Sequence, residues 1–370
     1  MLPAVHLFYW IFPYIMRSNM PCRLAITSMS LGRCCAGHPL AHKLDMARLY
    51  GYRGIELFHE DLLHLAQQLP GGSTADNEIE AARIIRRLCH ERGLTIVCLQ
   101  PFAHYEGLLD RRAHLKRMEQ LTFWFQLARV LGTDIVQIPS NFLPSSELSE
   151  DSRIAVADLR KVADMGLAQQ PPIRFVYEAL CWGTRCDLWE QSWDIVQAVD
   201  RPNFGLCLDT FNIAGRIYAD PSSPTGRTPN CDQAVRDSIA RLVTTVDVSK
   251  VFYVQVVDAA RLAEPLVEGH EFYNASQPAR MSWSRNCRLF YGEEERGAYL
   301  PVAQISRAIF QGLGFEGWVS MELFNQRMSD IDEVVPQELA SRGAAAWVKL
   351  VKDMKLRVDL PVSERVAASL

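Results

Sequence analysis

The sequence predicts an α/β fold, a single (β/α)8 TIM barrel, on three observations. Eight short β-type runs alternate with helix-period segments, and composition does not shift along the chain. The step from helix to strand repeats: Gly51-Tyr-Arg-Gly54-Ile-Glu56-Leu-Phe58 is echoed by Gly314-Phe-Glu-Gly317-Trp-Val-Ser-Met-Glu322-Leu-Phe324 and, more faintly, by Leu131-Gly132-Thr-Asp-Ile-Val. Finally, four later runs end in an acid or amide: Glu178 in 174–180, Asp209 in 204–209, Gln255 in 251–258 and Glu322 in 318–324. An unpaired polar group among residues that want burial costs several kcal/mol. Four of them converging on one divalent cation would remove that cost, and a closed parallel barrel brings its strand ends together on one face. An open doubly wound sheet is the alternative, because periodicity does not register closure.

In chain order, the first strand is expected over 22–28, a helix over 39–50 and the second strand over 54–58. An amphipathic helix over 77–92 puts Ile79, Ala82, Ile85 and Cys89 on one face before the third strand, 94–100. A helix over 111–131 carries Leu121, Phe125 and Ala128 to the turn signal Gly132 and the fourth strand, 134–138. The next helix, 150–169, stops before Pro171-Pro172, and the fifth strand is 174–180. Helices over 188–199, 231–246 and 301–313 separate the last three strands, and a helix over 336–355 closes the pattern.

The 370 residues carry a net charge of −4, which supplies no basic field for a phosphate backbone, so nucleic acid is not an expected partner. Ten cysteines are scattered without a Cys-x-x-Cys pair, as free thiols in a reducing, cytoplasmic compartment would be. Residues 1–14 are almost wholly apolar, yet Pro3 and Pro13 break them and they fall short of the ~20 residues of a membrane span. With Met20 just before the first strand, the expected division is an extension over 1–19, a catalytic barrel over 20–358 and a tail over 359–370, with no membrane partner.

Some motifs carry no chemistry. Gly312-Leu-Gly314-Phe-Glu-Gly317 has dinucleotide spacing but follows a helix and opens a strand, the reverse of what a pyrophosphate on a helix N-terminus needs. Cys181 and Cys186 lack a second ligand pair for zinc. Residues 70–74 and 220–230 are expected as surface loops, the second on the active-site side because it follows the sixth strand. Three carboxylates and an amide suit magnesium, manganese or cobalt better than zinc. A cation so held can polarise a carbonyl and ease loss of the neighbouring proton. The plainer reading of any one such acid is a loop cap or an arginine partner, and Glu56 and Asp258 are expected in supporting or structural roles.

The set Glu178, Asp209, Gln255 and Glu322, with Leu99-Gln-Pro-Phe102, His104-Tyr-Glu-Gly107, Leu208-Asp-Thr-Phe211 and Ser284-Arg-Asn-Cys-Arg288-Leu-Phe290, resembles the 3-dehydroshikimate dehydratases of quinate catabolism. The resemblance runs from about 22 to 355 and implies a xylose isomerase-like barrel that converts 3-dehydroshikimate to protocatechuate with a divalent metal. It implies Glu178, Asp209, Gln255 and Glu322 as ligands, and Ser284 and Arg288 at the substrate's carboxylate or hydroxyls. A guanidinium suits a carboxylate through paired hydrogen bonds. Gln100 is expected to position substrate, with merely ending its strand as the plainer alternative. His104 is the expected acid or base, since imidazole titrates near working pH, with a substrate-binding role as its alternative. Bacterial relatives often read Asp-Thr-Phe-His where Asn212 ends the motif here, so that histidine does not carry over. Their two-domain forms also carry a dioxygenase-like extension, which is not expected here. A keto-sugar isomerase on the same barrel stays open, as does a non-enzymatic binding protein. A histidine-rich zinc nuclease does not, because none of the 9 histidines falls at a proposed ligand position.

Overall fold

The computed structural model describes residues 21–358; the expected extension and tail lie outside the described residues. The barrel strands are β1 (Arg23–Thr27), β2 (Gly54–Phe58), β3 (Thr95–Gln100), β4 (Ile135–Pro139), β5 (Arg174–Glu178), β6 (Phe204–Asp209) and β7 (Val251–Gln255). A short antiparallel ladder of β8 (Asp258–Ala259) and β9 (Arg288–Leu289) follows, then the last barrel strand, β10 (Trp318–Ser320). Every barrel pairing is parallel, and β10 bonds to both β1 and β7. The sheet is therefore closed, and the open doubly wound alternative falls.

Around it run α1 (Leu40–Leu49), α2 (His59–Gln67), α3 (Ala75–Glu91), α4 (Arg111–Leu131), α5 (Ser152–Leu167), α6 (Trp189–Val199), α7 (Thr210–Ile217), α8 (Cys231–Thr245), α9 (Ala279–Cys287), α10 (Val302–Arg307) and α11 (Val335–Met354). Their limits follow from local chemistry. The Asp110 carboxylate accepts the backbone N–H groups of Arg112 and Ala113 at the start of α4, and Gly132 ends that helix at φ 79°, a left-handed conformation glycine adopts without cost. Thr74 caps α3 in the same way.

Four expectations need correction. β7 stops at Gln255, and Asp258 has left the barrel for the ladder with β9. The helix expected over 301–313 is α10 followed by a π-helical turn over 308–312. The sequence reading missed α2, α7 and α9: α2 and α7 follow their strands without a spacer, so that each looks like the strand's continuation, and α9 lies within a polar connection. The 220–230 loop therefore follows α7 and not β6 directly; Leu266 and Tyr299 hold it by bonds to Pro221 and Gly226, and it does not line the large cavity described below.

Side chains alternate across each strand, so every second residue faces the barrel axis. Ala25, Cys98, Ile135, Val176, Cys207 and Tyr253 pack there as a cluster distinct from the larger core between strands and helices. Two residues further along the same strands stand Thr27, Gln100, Gln137, Glu178, Asp209 and Gln255, joined by Glu56 and Glu322; all eight are buried. One polar residue from each of seven strands, with Glu322 just past the end of β10, thus forms a ring at the C-terminal mouth, above an apolar floor. No helix among the described residues is long and apolar enough to cross a membrane.

Candidate active site

The ring has two unlike halves. In one, Glu178, Asp209 and Glu322 turn toward each other, with one oxygen from each within 4.8 Å of the others. Gln137 donates to Glu178 at 2.5 Å, and the Asn212 amide donates to Glu178 at 2.8 Å and to Asp209 at 2.7 Å. Asn212 reaches both acids because the Asp209 carboxylate caps α7, accepting the Phe211 N–H at 2.8 Å, which places Asn212 in the first turn. In the other half, Glu56 accepts from Thr27 at 3.2 Å, Gln100 at 2.9 Å and Gln255 at 3.0 Å. Gln100 joins the halves by donating to Glu322 as well, at 3.1 Å.

Three buried carboxylates, Glu178, Asp209 and Glu322, face one buried guanidinium, Arg288, and a fourth buried carboxylate, Glu56, stands beside them. Burial pushes Glu178 well above the carboxylate range, and Glu322 and Asp209 push it further. Burial also lifts Glu322 to about 8; Arg288 opposes the rise while Glu56 and Asp209 add to it. Asp209 is raised by burial as well, against Arg288. Such a cluster either keeps protons or takes a cation. An all-oxygen donor set with surplus negative charge fits a hard divalent ion.

Arg288 is held from several sides. Its Nε donates to Ser284 at 3.0 Å, and its Nη1 donates to both Asp209 and Glu322 at 3.0 Å. Its guanidinium lies 4.2 Å from the Phe211 ring centroid and 4.8 Å from that of Phe324. Over the ring opens a cavity of about 520 Å3 whose lining includes Gln100, Gln137, Glu178, Ser284, Arg288 and Glu322. His104 is not part of that lining, although its neighbours Ala103 and Phe142 are. Its Nδ1 lies 3.2 Å from the Asn141 amide oxygen, its ring packs on Phe142, and burial lowers its pKa. Asp258 is no part of the ring: its Oδ1 accepts the N–H groups of Ala259, Tyr299 and Leu300, as a structural carboxylate does.

Residues 44–350 match the family described as xylose isomerase-like TIM barrel. A 3-dehydroshikimate dehydratase of Neurospora crassa is 62% identical over 359 residues, which cover 95% of this chain and 100% of the relative. The chain belongs to the xylose isomerase-like TIM barrel family, in the branch of the 3-dehydroshikimate dehydratases. A second dehydratase, from Pseudomonas aeruginosa, is 32% identical over 77% of this chain and 36% of its own length, so the chain spans about a third of it. Among solved structures, a xylose isomerase-like TIM barrel/4-hydroxyphenylpyruvate dioxygenase fusion protein superposes with a TM-score of 0.66 at 26% identity, covering 91% of this chain and 44% of that one.

Within this family barrel, the structure brings Glu178, Asp209, Glu322, Gln100, Ser284 and Arg288 to one place and sets Gln255 beside them with its amide nitrogen on Glu56. Sequence reasoning missed Gln137 and Asn212 as partners of Glu178, and the central place of Glu56. A signal for two of them was present: Gln137 and Glu56 are polar residues inside apolar strand runs, as the four chosen residues are. For Asn212 the one signal was its place after Asp209-Thr-Phe211, where bacterial relatives often carry a histidine; its reach to Glu178 depends on α7 starting at once after β6.

Proposed function

We infer that the chain is a 3-dehydroshikimate dehydratase, a hydro-lyase that takes water from 3-dehydroshikimate and leaves protocatechuate. The observation that carries this reading is the 62% identity along the whole length of the Neurospora crassa dehydratase. We assign Glu178, Asp209, Gln255 and Glu322 as the holders of a magnesium, manganese or cobalt ion, on the strength of the three converging carboxylates and the surplus charge. Bound there, such an ion supplies Lewis acidity toward a ketone oxygen, which acidifies the neighbouring C–H.

The remaining roles belong to the protein's own groups. Arg288, with Nε and Nη1 engaged inside the protein, meets the substrate's carboxylate or hydroxyl oxygens through Nη2, and Ser284 fixes the guanidinium while lining the same cavity. Gln100, tied to Glu56 and Glu322, positions substrate at the ring. His104 is assigned as acid or base: lowered by burial, its imidazole is neutral and able to accept a proton near pH 7. Ten unpaired thiols support a cytoplasmic location.

The test is direct. Purified protein with manganese should convert 3-dehydroshikimate to a product with catechol absorbance, chelation should stop this, and added metal should restore it. Inert protein, or one that interconverts a keto-sugar and leaves 3-dehydroshikimate untouched, would overturn the reading. His104→Asn is the sharper variant than alanine, because His104 sits at φ 57°, a backbone conformation that asparagine tolerates best after glycine. General acid–base chemistry predicts a fall in kcat of roughly 10²–10⁴-fold. A change confined to KM would make His104 a binding residue.

A further inference from the structure

Gln255 poses a problem that the three carboxylates do not. A carboxylate offers oxygen whichever way it turns, whereas a glutamine side chain ends in one oxygen and one NH2 group, and only the oxygen can hold a cation. A neighbour must therefore choose the orientation. The Gln255 nitrogen lies 3.0 and 3.3 Å from the two Glu56 oxygens, while its oxygen accepts from the Cys207 thiol at 3.4 Å. A thiol is a weak donor, so the amide oxygen keeps a lone pair to give.

We propose that Glu56 is a positioning residue that sets which end of the Gln255 amide faces the ring centre. Glu56 is buried, and three strong donors from three other strands, Thr27, Gln100 and Gln255, converge on its two oxygens, with the Cys98 thiol at 3.7 Å as a fourth. A group surrounded only by donors acts as an acceptor, so an amide approaching it must arrive nitrogen first. The same constraint turns the Gln100 nitrogen toward Glu56 and Glu322. It also separates Glu56 from its three fellow acids: its lone pairs are taken by donors, and it is absent from the carboxylate group that closes to 4.8 Å. Glu56 thus acts on the cation through Gln255, as outer partners of metal ligands do when they orient the ligand.

This inference rests on the cation site proposed above, and the experiment keeps the two apart. Manganese affinity of metal-stripped protein is measured by calorimetry, which needs no catalysis. Glu56→Gln keeps the shape but leaves one acceptor oxygen where there were two, so Thr27, Gln100 and Gln255 compete for it, the hold on the Gln255 orientation is weakened, and affinity should fall roughly 10–100-fold, the usual cost of losing an outer partner. Gln255→Glu gives that position two equivalent ends and removes the need for orientation. Added to that background, Glu56→Gln should cost little or nothing, a strong departure from additivity. Should Glu56→Gln fail to fold, Glu56→Asp, which withdraws the acceptor by one methylene, carries the same comparison in both backgrounds. Unchanged affinity in Glu56→Gln, or an equal loss in both backgrounds, overturns the positioning role. If Glu178→Gln and Gln255→Ala also leave affinity unchanged, it is the cation site itself that fails.

Discussion

Glu322 and Asp258 look alike by every simple measure: both acids lie just beyond the end of a barrel strand, both are buried, and burial raises both, one to about 8 and the other to about 7. Their partners differ. Asp258 accepts three backbone N–H groups and thereby pins the loop at 299–300 to the short ladder. Glu322 faces Asp209 and Glu178, shares one arginine with Asp209, and takes an amide from Gln100. Burial of an acid is therefore neutral about function. What separates Asp258 from the ring acids is that peptide groups surround the one and other acids surround the others.

The largest effect should come from breaking that contrast at the ring. Glu178→Gln and Glu322→Gln should each lower manganese affinity by more than the roughly 10–100-fold typical of outer partners, and abolish turnover, in protein that still folds. Asp258→Ala should do the opposite: leave metal affinity unchanged while exposing unsatisfied N–H groups, at a cost of about 1–3 kcal/mol in unfolding free energy by denaturant titration. A loss of metal binding in Asp258→Ala would erase the distinction. Normal metal content in both ring variants would do the same from the other side.

Arg288 tests the contrast more finely, because it is the one cation, among the described residues, that bonds to the ring acids. Arg288→Ala should lower kcat/KM by ~1.5–3 kcal/mol, about tenfold to a hundredfold, through loss of a hydrogen bond to a charged substrate group. Arg288→Lys should recover only part, since a point charge replaces neither the contact with Ser284 nor the stacking between Phe211 and Phe324. Manganese affinity should not fall in either variant, because Nη1 of Arg288 competes with a metal for Asp209 and Glu322. A fall would mean that the arginine holds the acids in place and does not offset their charge.

How much of this was legible in the sequence follows the same physics. The eight strands were readable because period and glycine punctuation are local, and so were the polar strand ends, because an acid inside an apolar run is conspicuous. Closure of the barrel was not, since it depends on β10 meeting β1 across nearly the whole chain. Arg288 came from the family resemblance, with which its fit to a carboxylate agrees, but its burial between two aromatic rings and two ring acids needs α9, which the polar stretch before it concealed. The distinction between Glu56, Asp258 and the three converging acids depends on which donors each one meets, and those donors come from other strands and loops.

The smallest and most graded effect is on pH dependence, and it again pairs Glu322 with Asp258. Glu322 rises from 4.5 to about 8 in the fold and Asp258 from 3.8 to about 7, so the folded protein binds more protons than the unfolded chain between those limits. The sign follows: the stability each proton carries is fully present below the unfolded value and is lost as pH climbs through the folded one. Metal-stripped protein should therefore melt at progressively lower temperature from about pH 5 to about pH 8. Saturating manganese binds the ring in its deprotonated form and removes the Glu322 share, so the metal-induced rise in Tm should grow across the same window. The Asp258 share is independent of the metal and should persist in manganese-loaded wild type, then vanish in manganese-loaded Asp258→Ala. A Tm gain on metal addition that is flat with pH would show that the ring acids are already ionised without metal, and that Arg288 alone balances them.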